Sequence, residues 1–247
     1  MGKINYTADN IDSIYNQVSI LFTIHRDINS CIHAVRKGNQ ELVEPFIPTH
    51  FIYEFFIFNT IYSINWQNSL KYGNISNLWG DELDKQKKYL DFIFNNEEFV
   101  KSYDSKFKKI FFKIDVNEIK YVKERVRLDK DHFPKHIKDR GSLKDNNELD
   151  NFKKAVDSIL DDKQLINKEN IQSIITLIYR VRCNIFHGVK SIDELNREIE
   201  RKKLKFYTNI LIAVNQMVFS YLDFLSNKKC GGDNNRFEDL WDNLKEL

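Results

Sequence analysis

One stretch decides the fold class of this chain: KENIQSIITLIYRVRCNIFHG, from Lys168 to Gly188. Its apolar residues recur three or four positions apart, the spacing that places side chains on one face of an α-helix. The buried stripe expected on that face consists of Ile171, Ile174, Ile178, Val181 and Ile185. Asn167 is a suitable N-cap for this helix, and Gly188 is a suitable stop. The stretch therefore predicts a long helix that packs along one side.

The composition extends this prediction to the whole chain. Only 3 Pro and 8 Gly occur in 247 residues, so few positions break a helix. Apolar residues make up 42% of the chain, which is ample for a core. Helical periodicity marks two earlier segments, 9–37 and 49–71, and a later one that starts at Ser191 or Asp193 and runs to about 225. The sequence predicts an all-α fold.

A lysine-rich segment, residues 81–164, separates the two apolar regions. From Lys85 to Lys144 the chain holds 17 basic and 10 acidic residues, a local net charge of +7, while the whole chain carries +2. A basic surface suits a phosphate backbone, but a solvated surface of lysine-rich helices is the simpler interpretation. Several short helical patterns occur here, so we predict a helical insertion or accessory lobe.

The sequence argues against several function classes. The three cysteines are far apart and form no CxxC pair, so neither a disulfide framework nor a zinc knuckle is indicated. His132 and His136 are spaced like metal ligands, but Pro134 interrupts the helix that would present them. No apolar run is long enough to span a bilayer, and the first residues lack the apolar core of a signal peptide. We expect no metal site, no cofactor, no membrane attachment and a cytoplasmic location.

The end of the Lys168–Gly188 stretch carries the candidate site. Four polar residues occur there in close succession: Arg180, Arg182, Asn184 and His187. A guanidinium group can neutralise the charge that develops on a phosphate, and an imidazole can move protons near neutral pH. Together the two groups suit phosphodiester chemistry without a metal ion.

A purely structural interpretation fits the same residues. The helix dipole favours a histidine in the last turn of a helix, and a glycine after it is a common C-terminal stop. On a regular helix His187 lies within about 20° of Arg180 and about 140° from Arg182. The spacing alone leaves open which arginine would act with His187, and whether the arginines are only surface charges.

The run Arg182-Cys-Asn-Ile-Phe-His187, at the end of an apolar helix, resembles the signature of the HEPN superfamily. That signature is an Arg, four to six residues and then a His, often with a polar residue directly after the Arg. Here Cys183 takes that place and Asn184 follows it. The earlier run Tyr53-Glu-Phe-Phe-Ile-Phe-Asn-Thr-Ile-Tyr62 is similar to the first core helix of many members.

The resemblance implies a HEPN-like helical bundle. Helical periodicity adds an N-terminal helix and a helical insertion, and we expect all of these in a single domain, 1–247. The HEPN-like core would comprise residues 46–80 and 165–226. The lysine-rich insertion, 81–164, would interrupt that core, and 227–247 would form a C-terminal tail.

The resemblance also implies an activity, because catalytic members are metal-independent endoribonucleases that act as homodimers. His187 would assist proton transfer while a ribose 2′-OH attacks the adjacent phosphate, and Arg182 would stabilise the pentavalent intermediate. Asn184 would complete the catalytic set, and Arg180 and Lys190 would bind the substrate. The products would be a 2′,3′-cyclic phosphate and a 5′-OH.

The expected substrate is RNA, and the expected partner is a second copy of the chain, bound through the Arg/His helix. Many members are toxins or anti-phage defence effectors, so an antitoxin or defence protein is a further candidate partner. The alternative function is non-catalytic, because other members keep the fold without the activity. In that case the same face would bind a nucleotide, RNA or a protein without cleavage.

Overall fold

The computed structural model describes residues 8–38, 47–72, 82–111, 116–125, 145–161, 165–186, 191–230 and 235–245. Every regular element in these ranges is a helix, so the all-α prediction is confirmed. In chain order the helices are α1 (Ala8–Gly38), α2 (Ile47–Tyr72), α3 (Glu82–Phe94), α4 (Glu97–Phe111), α5 (Val116–Arg125), α6 (Asp145–Leu160), α7 (Lys168–Phe186), α8 (Ile192–Leu195), α9 (Glu198–Cys230) and α10 (Arg236–Lys245). None of these described helices is long and apolar enough to cross a membrane.

The helices begin where the sequence offers caps. The amide of Asn170 donates a hydrogen bond to Oδ1 of Asn167 at 2.9 Å, which caps α7 as predicted. Ser191 and Glu194 form a capping box at α8. The amide of Glu194 donates to Ser191 Oγ at 3.2 Å, and the amide of Ser191 donates to Glu194 Oε2 at 2.9 Å. Local side-chain chemistry therefore sets these two helix starts.

The prediction of a single helix from Ser191 or Asp193 to about 225 is wrong, because the region is divided. Two helices occupy this region, because α8 ends at Leu195 and α9 begins only at Glu198. The amide of Arg197 donates to the carbonyl of Glu194 at 3.2 Å, so a tighter turn interrupts the helical ladder there.

The described helices belong to two compact units, Met1–Tyr89 with Leu211–Leu247, and Leu90–Ile210. Both α3 and α9 contribute residues to each unit. The predicted HEPN-like core draws on residues of both units, and its bundle arrangement stays a prediction.

Aromatic contacts and a buried polar pair connect the helices of the first unit. The rings of Phe22 on α1 and Phe219 on α9 meet edge to face, with centroids 5.0 Å apart. Glu54 on α2 is fully buried, and the side-chain amide of Asn215 on α9 donates to its Oε2 at 3.0 Å. Burial, followed by the charges of Glu54 and Asp27, raises the pKa of Tyr53 to about 12, so its hydroxyl stays protonated.

Asn59 lies on α2 next to buried apolar residues, and an amide in such a setting needs a hydrogen-bond partner. The hydroxyl of Tyr62 lies within hydrogen-bond distance of Asn59 Oδ1 and of Glu82 Oε1, the latter at 2.9 Å. The buried amide of Gln86 donates to the same hydroxyl at 3.2 Å. Tyr62 therefore links α2 to α3 and provides a hydrogen-bond partner for Asn59.

The second unit holds α7 from both sides of its first turn. The carboxylate of Asp104 on α4 accepts a hydrogen bond from the amide of Ile166 at 2.6 Å, just before α7. The side-chain amide of Gln172 donates to Asp91 on α3 at 2.7 Å. Helices α6 and α7 also pack extensively against each other. These contacts fix the position of the helix that ends in the candidate site.

Candidate functional site

The first turns of α7 follow the predicted stripe, and the last turns depart from it. Ile171, Ile174 and Ile178 are fully buried, as expected. Val181 and Ile185 are only half-buried, so the prediction of a continuous stripe is wrong at this end. Sequence periodicity predicts which face of a helix is apolar. It does not predict how far along the helix other elements pack against that face.

Cys183 and Asn184 are the buried residues of the last turn. At about 100° per residue, both lie well away from the direction of the Ile171–Ile185 stripe. The Oδ1 atom of Asn184 makes no hydrogen bond to any residue that the structure describes. The buried amide oxygen of Asn184 therefore has acceptor capacity that no described residue uses.

Arg182 lies against aromatic rings. Its guanidinium carbon is 4.6 Å from the ring centroid of Phe186 and 5.9 Å from that of Tyr179. Both distances fall within the range of a cation–π contact. Phe186 is 45% exposed and Arg182 is half-buried, so the pair lies at the edge of the second unit's surface. Sequence reasoning missed Phe186, although its i,i+4 spacing from Arg182 on one helix was a usable signal.

Arg180 has a different environment. Its Nη2 is 3.3 Å from Glu148 Oε1 and its Nε is 3.4 Å from Glu148 Oε2, so two donors face one carboxylate of α6. The two side chains are only 11% and 21% exposed. Binding of a phosphate by Arg180 would require the guanidinium to leave Glu148. The pair ties the end of α7 to the start of α6.

Two of the predicted site residues, His187 and Lys190, lie outside the described residues, as do His132 and His136. The structure therefore shows Arg180, Arg182 and Asn184 within the last two turns of one helix. Their side chains have different surroundings. Arg180 faces a carboxylate, Arg182 lies against two aromatic rings, and Asn184 is in the protein interior.

Two lysines of α9 form ion pairs with glutamates one helical turn away. Lys202 lies 2.6 Å from Glu198, and Lys203 lies 2.5 Å from Glu200. The ammonium of Lys202 also lies 5.1 Å from the ring centroid of Tyr121. These contacts offset the positive charges of Lys202 and Lys203. Within the described ranges, no group of three or more His, Cys, Asp or Glu side chains is placed to hold a metal ion.

No protein-family model, curated protein or solved structure matches this chain. Functional inference therefore rests on the residues themselves and on the short motif that Arg182 begins.

Proposed function

We propose that this chain is a metal-independent endoribonuclease in which Arg182 and His187 are catalytic. The observation that carries the proposal is the HEPN-like Arg-x4-His motif at the end of a long helix in an all-α chain. The metal independence is the property that the resemblance implies. A role as a toxin or anti-phage defence effector, in the cytoplasm and paired with an antitoxin or defence protein, follows from the same resemblance.

The surroundings of the two arginines support Arg182 over Arg180 as the catalytic arginine. A cation–π contact uses the face of a guanidinium, whereas phosphate recognition uses its N–H edge. Contact with Phe186 and Tyr179 is thus compatible with phosphate binding by Arg182. Arg180 instead directs two donors at Glu148, so its first role in this proposal is to hold α7 against α6.

The proposed reaction is an internal transfer. The ribose 2′-oxygen loses its proton to His187 and bonds to the adjacent phosphorus, which builds negative charge on the equatorial oxygens. Arg182 stabilises that charge. The bond from phosphorus to the 5′-oxygen then breaks, and the leaving oxygen takes a proton. A 2′,3′-cyclic phosphate and a 5′-OH result. Asn184, with its buried acceptor, is proposed to orient a donor at this site.

We propose a homodimer as the active form. One histidine supplies one acid–base group, whereas the reaction removes a proton from one oxygen and adds a proton to another. A two-fold arrangement supplies the second His187 without further residues. Two Arg182 side chains that face each other repel, and a bound phosphate between them would offset that repulsion. The binding energy of RNA would therefore favour the dimer.

The decisive experiment is incubation of the purified protein with labelled RNA in EDTA. The proposal expects cleavage with 2′,3′-cyclic phosphate ends, and no cleavage of the same sequence made with 2′-deoxy sugars. Activity that disappears in EDTA and returns with Mg²⁺ would overturn the metal-free mechanism. RNA binding with no cleavage would support the non-catalytic alternative instead.

A further inference from the structure

Phe186 is one of the few large apolar side chains that the described residues expose, with 45% of its surface accessible. Leaving a phenylalanine in water forfeits a favourable burial free energy, so a ring exposed beside a functional group merits an explanation. Phe186 lies 4.6 Å from the guanidinium carbon of the proposed catalytic Arg182. The surface thus presents a flat π system and a cation side by side.

Nucleotides carry the complementary pair of groups. In single-stranded nucleic acids a phosphate and a flat base are joined through one sugar, and proteins bind such strands by placing cations along the backbone and aromatic rings against the bases. A side chain that only anchored a protein partner would need no cation beside it. The combination at the end of α7 therefore favours a nucleic-acid strand.

We infer that the Phe186 ring stacks on the nucleobase adjacent to the phosphate that Arg182 binds. This inference rests on the proposed ribonuclease function. It adds the substrate class, which is unpaired RNA with a base that can unstack from the neighbouring bases. A base inside a duplex is stacked on both sides, so the site discriminates against double-stranded RNA. Stacking tolerates every base, so Phe186 positions the strand without specifying a sequence.

The test measures binding apart from cleavage. Fluorescence anisotropy would compare a short single strand with 2′-deoxy sugars, which has no 2′-OH and cannot react, with an abasic strand of the same length, both in EDTA. We expect the wild-type chain to bind the strand with bases roughly tenfold or more tightly than the abasic strand, the range for one stacked base. Phe186→Leu should lose most of that difference, and Phe186→Trp should keep it.

Two further variants separate stacking from indirect effects. Phe56 in the first unit is 40% exposed, so Phe56→Leu is a matched control that should leave both affinities unchanged. Arg182→Ala should weaken the binding of both strands, because both retain phosphates. If Phe186→Leu weakened both strands equally, Phe186 would only position Arg182, and the stacking inference would be overturned.

Cleavage of an all-RNA strand, measured in parallel, distinguishes this inference from the proposed function. If the wild-type chain cleaves RNA and Phe186→Leu still favours the strand with bases as strongly as the wild type does, only the stacking inference fails. If the chain cleaves nothing but loses base discrimination in Phe186→Leu, the ribonuclease proposal fails, and Phe186 stacks on a base in the non-catalytic alternative. A wild-type chain that binds neither strand, or both equally, overturns the stacking inference.

Discussion

The two ends of α7 are built differently. Around Ile174 and Ile178 the helix is buried on every side, and even Thr176 is inside. Around Val181 and Ile185 the apolar residues are half-buried, while Phe186 is exposed. One helix with one apolar periodicity therefore contains a packed segment and a segment where packing is incomplete.

The contrast indicates where function can lie on a helix. A fully packed segment tolerates little change, because interiors are as dense as organic crystals. The open segment places Arg182 and Phe186 at the surface while Glu148 still holds the backbone through Arg180. Departures from local rules of burial are expected at functional sites. The packed half anchors the helix, and the open half presents the side chains.

Loss of the proposed acid–base group, His187, should have the largest effect on RNA cleavage. His187→Ala should lower RNA cleavage by about 10²- to 10⁴-fold, the contribution of general acid–base catalysis. Single-turnover assays would measure the cleavage rate, and circular dichroism would check that the helical fold is intact. His132→Ala is the control variant and should cleave at the wild-type rate. Unchanged cleavage in His187→Ala would show that the motif has no catalytic role.

The two arginines offer the next comparison. Arg182→Ala should lower cleavage by about 10²- to 10³-fold, because a charge-stabilising donor in the transition state is lost. Arg180→Ala should change the cleavage rate far less and reduce stability instead, because it leaves Glu148 without this partner. Cleavage rates and urea denaturation of both variants would be compared. The reverse pattern would assign catalysis to Arg180 and the six-residue spacing.

The packed and open ends also predict unequal costs for the same substitution. Ile174→Ala, in the fully buried segment, should lower the free energy of unfolding by about 2–5 kcal/mol. Ile185→Ala, at a half-buried position, should cost clearly less because less apolar surface leaves the interior. Equal losses in urea denaturation would contradict the contrast between the two ends of α7.

The Arg180–Glu148 pair predicts a smaller, pairwise effect. A double-mutant cycle with Arg180→Ala and Glu148→Ala should give a coupling free energy of about 1 kcal/mol, since both side chains are largely but not fully buried. Urea denaturation of the wild type, the two single variants and the double variant would give the coupling free energy. Repeating the cycle at high salt should lower it, because salt screens an ion pair. A coupling near zero would show that packing alone, without this ion pair, holds the open end of α7.

A pH effect outside α7 must be separated from the chemistry of the site. Burial raises the pKa of Asp223 from 3.8 to about 6, although the amides of Phe237 and Glu238 donate to it. Because the folded-state pKa is raised, its stabilising contribution is complete below pH 4 and is lost as the pH rises through 6. The pKa shift limits the resulting change in the free energy of unfolding to about 3 kcal/mol, and solvent screening makes that change smaller.

Asp223→Asn should therefore flatten the dependence of stability on pH between 4 and 6 and leave the pH profile of cleavage in place. Thermal denaturation and cleavage assays across that range would test both statements. A cleavage profile that flattened together with stability would mean that the pH dependence reports unfolding and not the imidazole of His187.

Local signals sufficed for most of the secondary structure. Asn167 and the Ser191–Glu194 box start helices through hydrogen bonds within four residues, so the sequence contains the whole cause. Scarce proline and glycine, with helical periodicity, were enough for the all-α class. The interruption between α8 and α9 was missed because the apolar pattern continues across a turn that costs few hydrogen bonds.

The sequence by itself determined that α7 exists, where it begins and which residues could act on a phosphate. Only the tertiary structure decided how those residues differ. Glu148 lies 32 positions before Arg180, and no periodicity connects two helices across that distance. Likewise, Cys183 and Asn184 are buried while Val181 and Ile185 are only half-buried. Burial depends on the neighbours that a residue meets after folding, whereas periodicity depends only on its own helix.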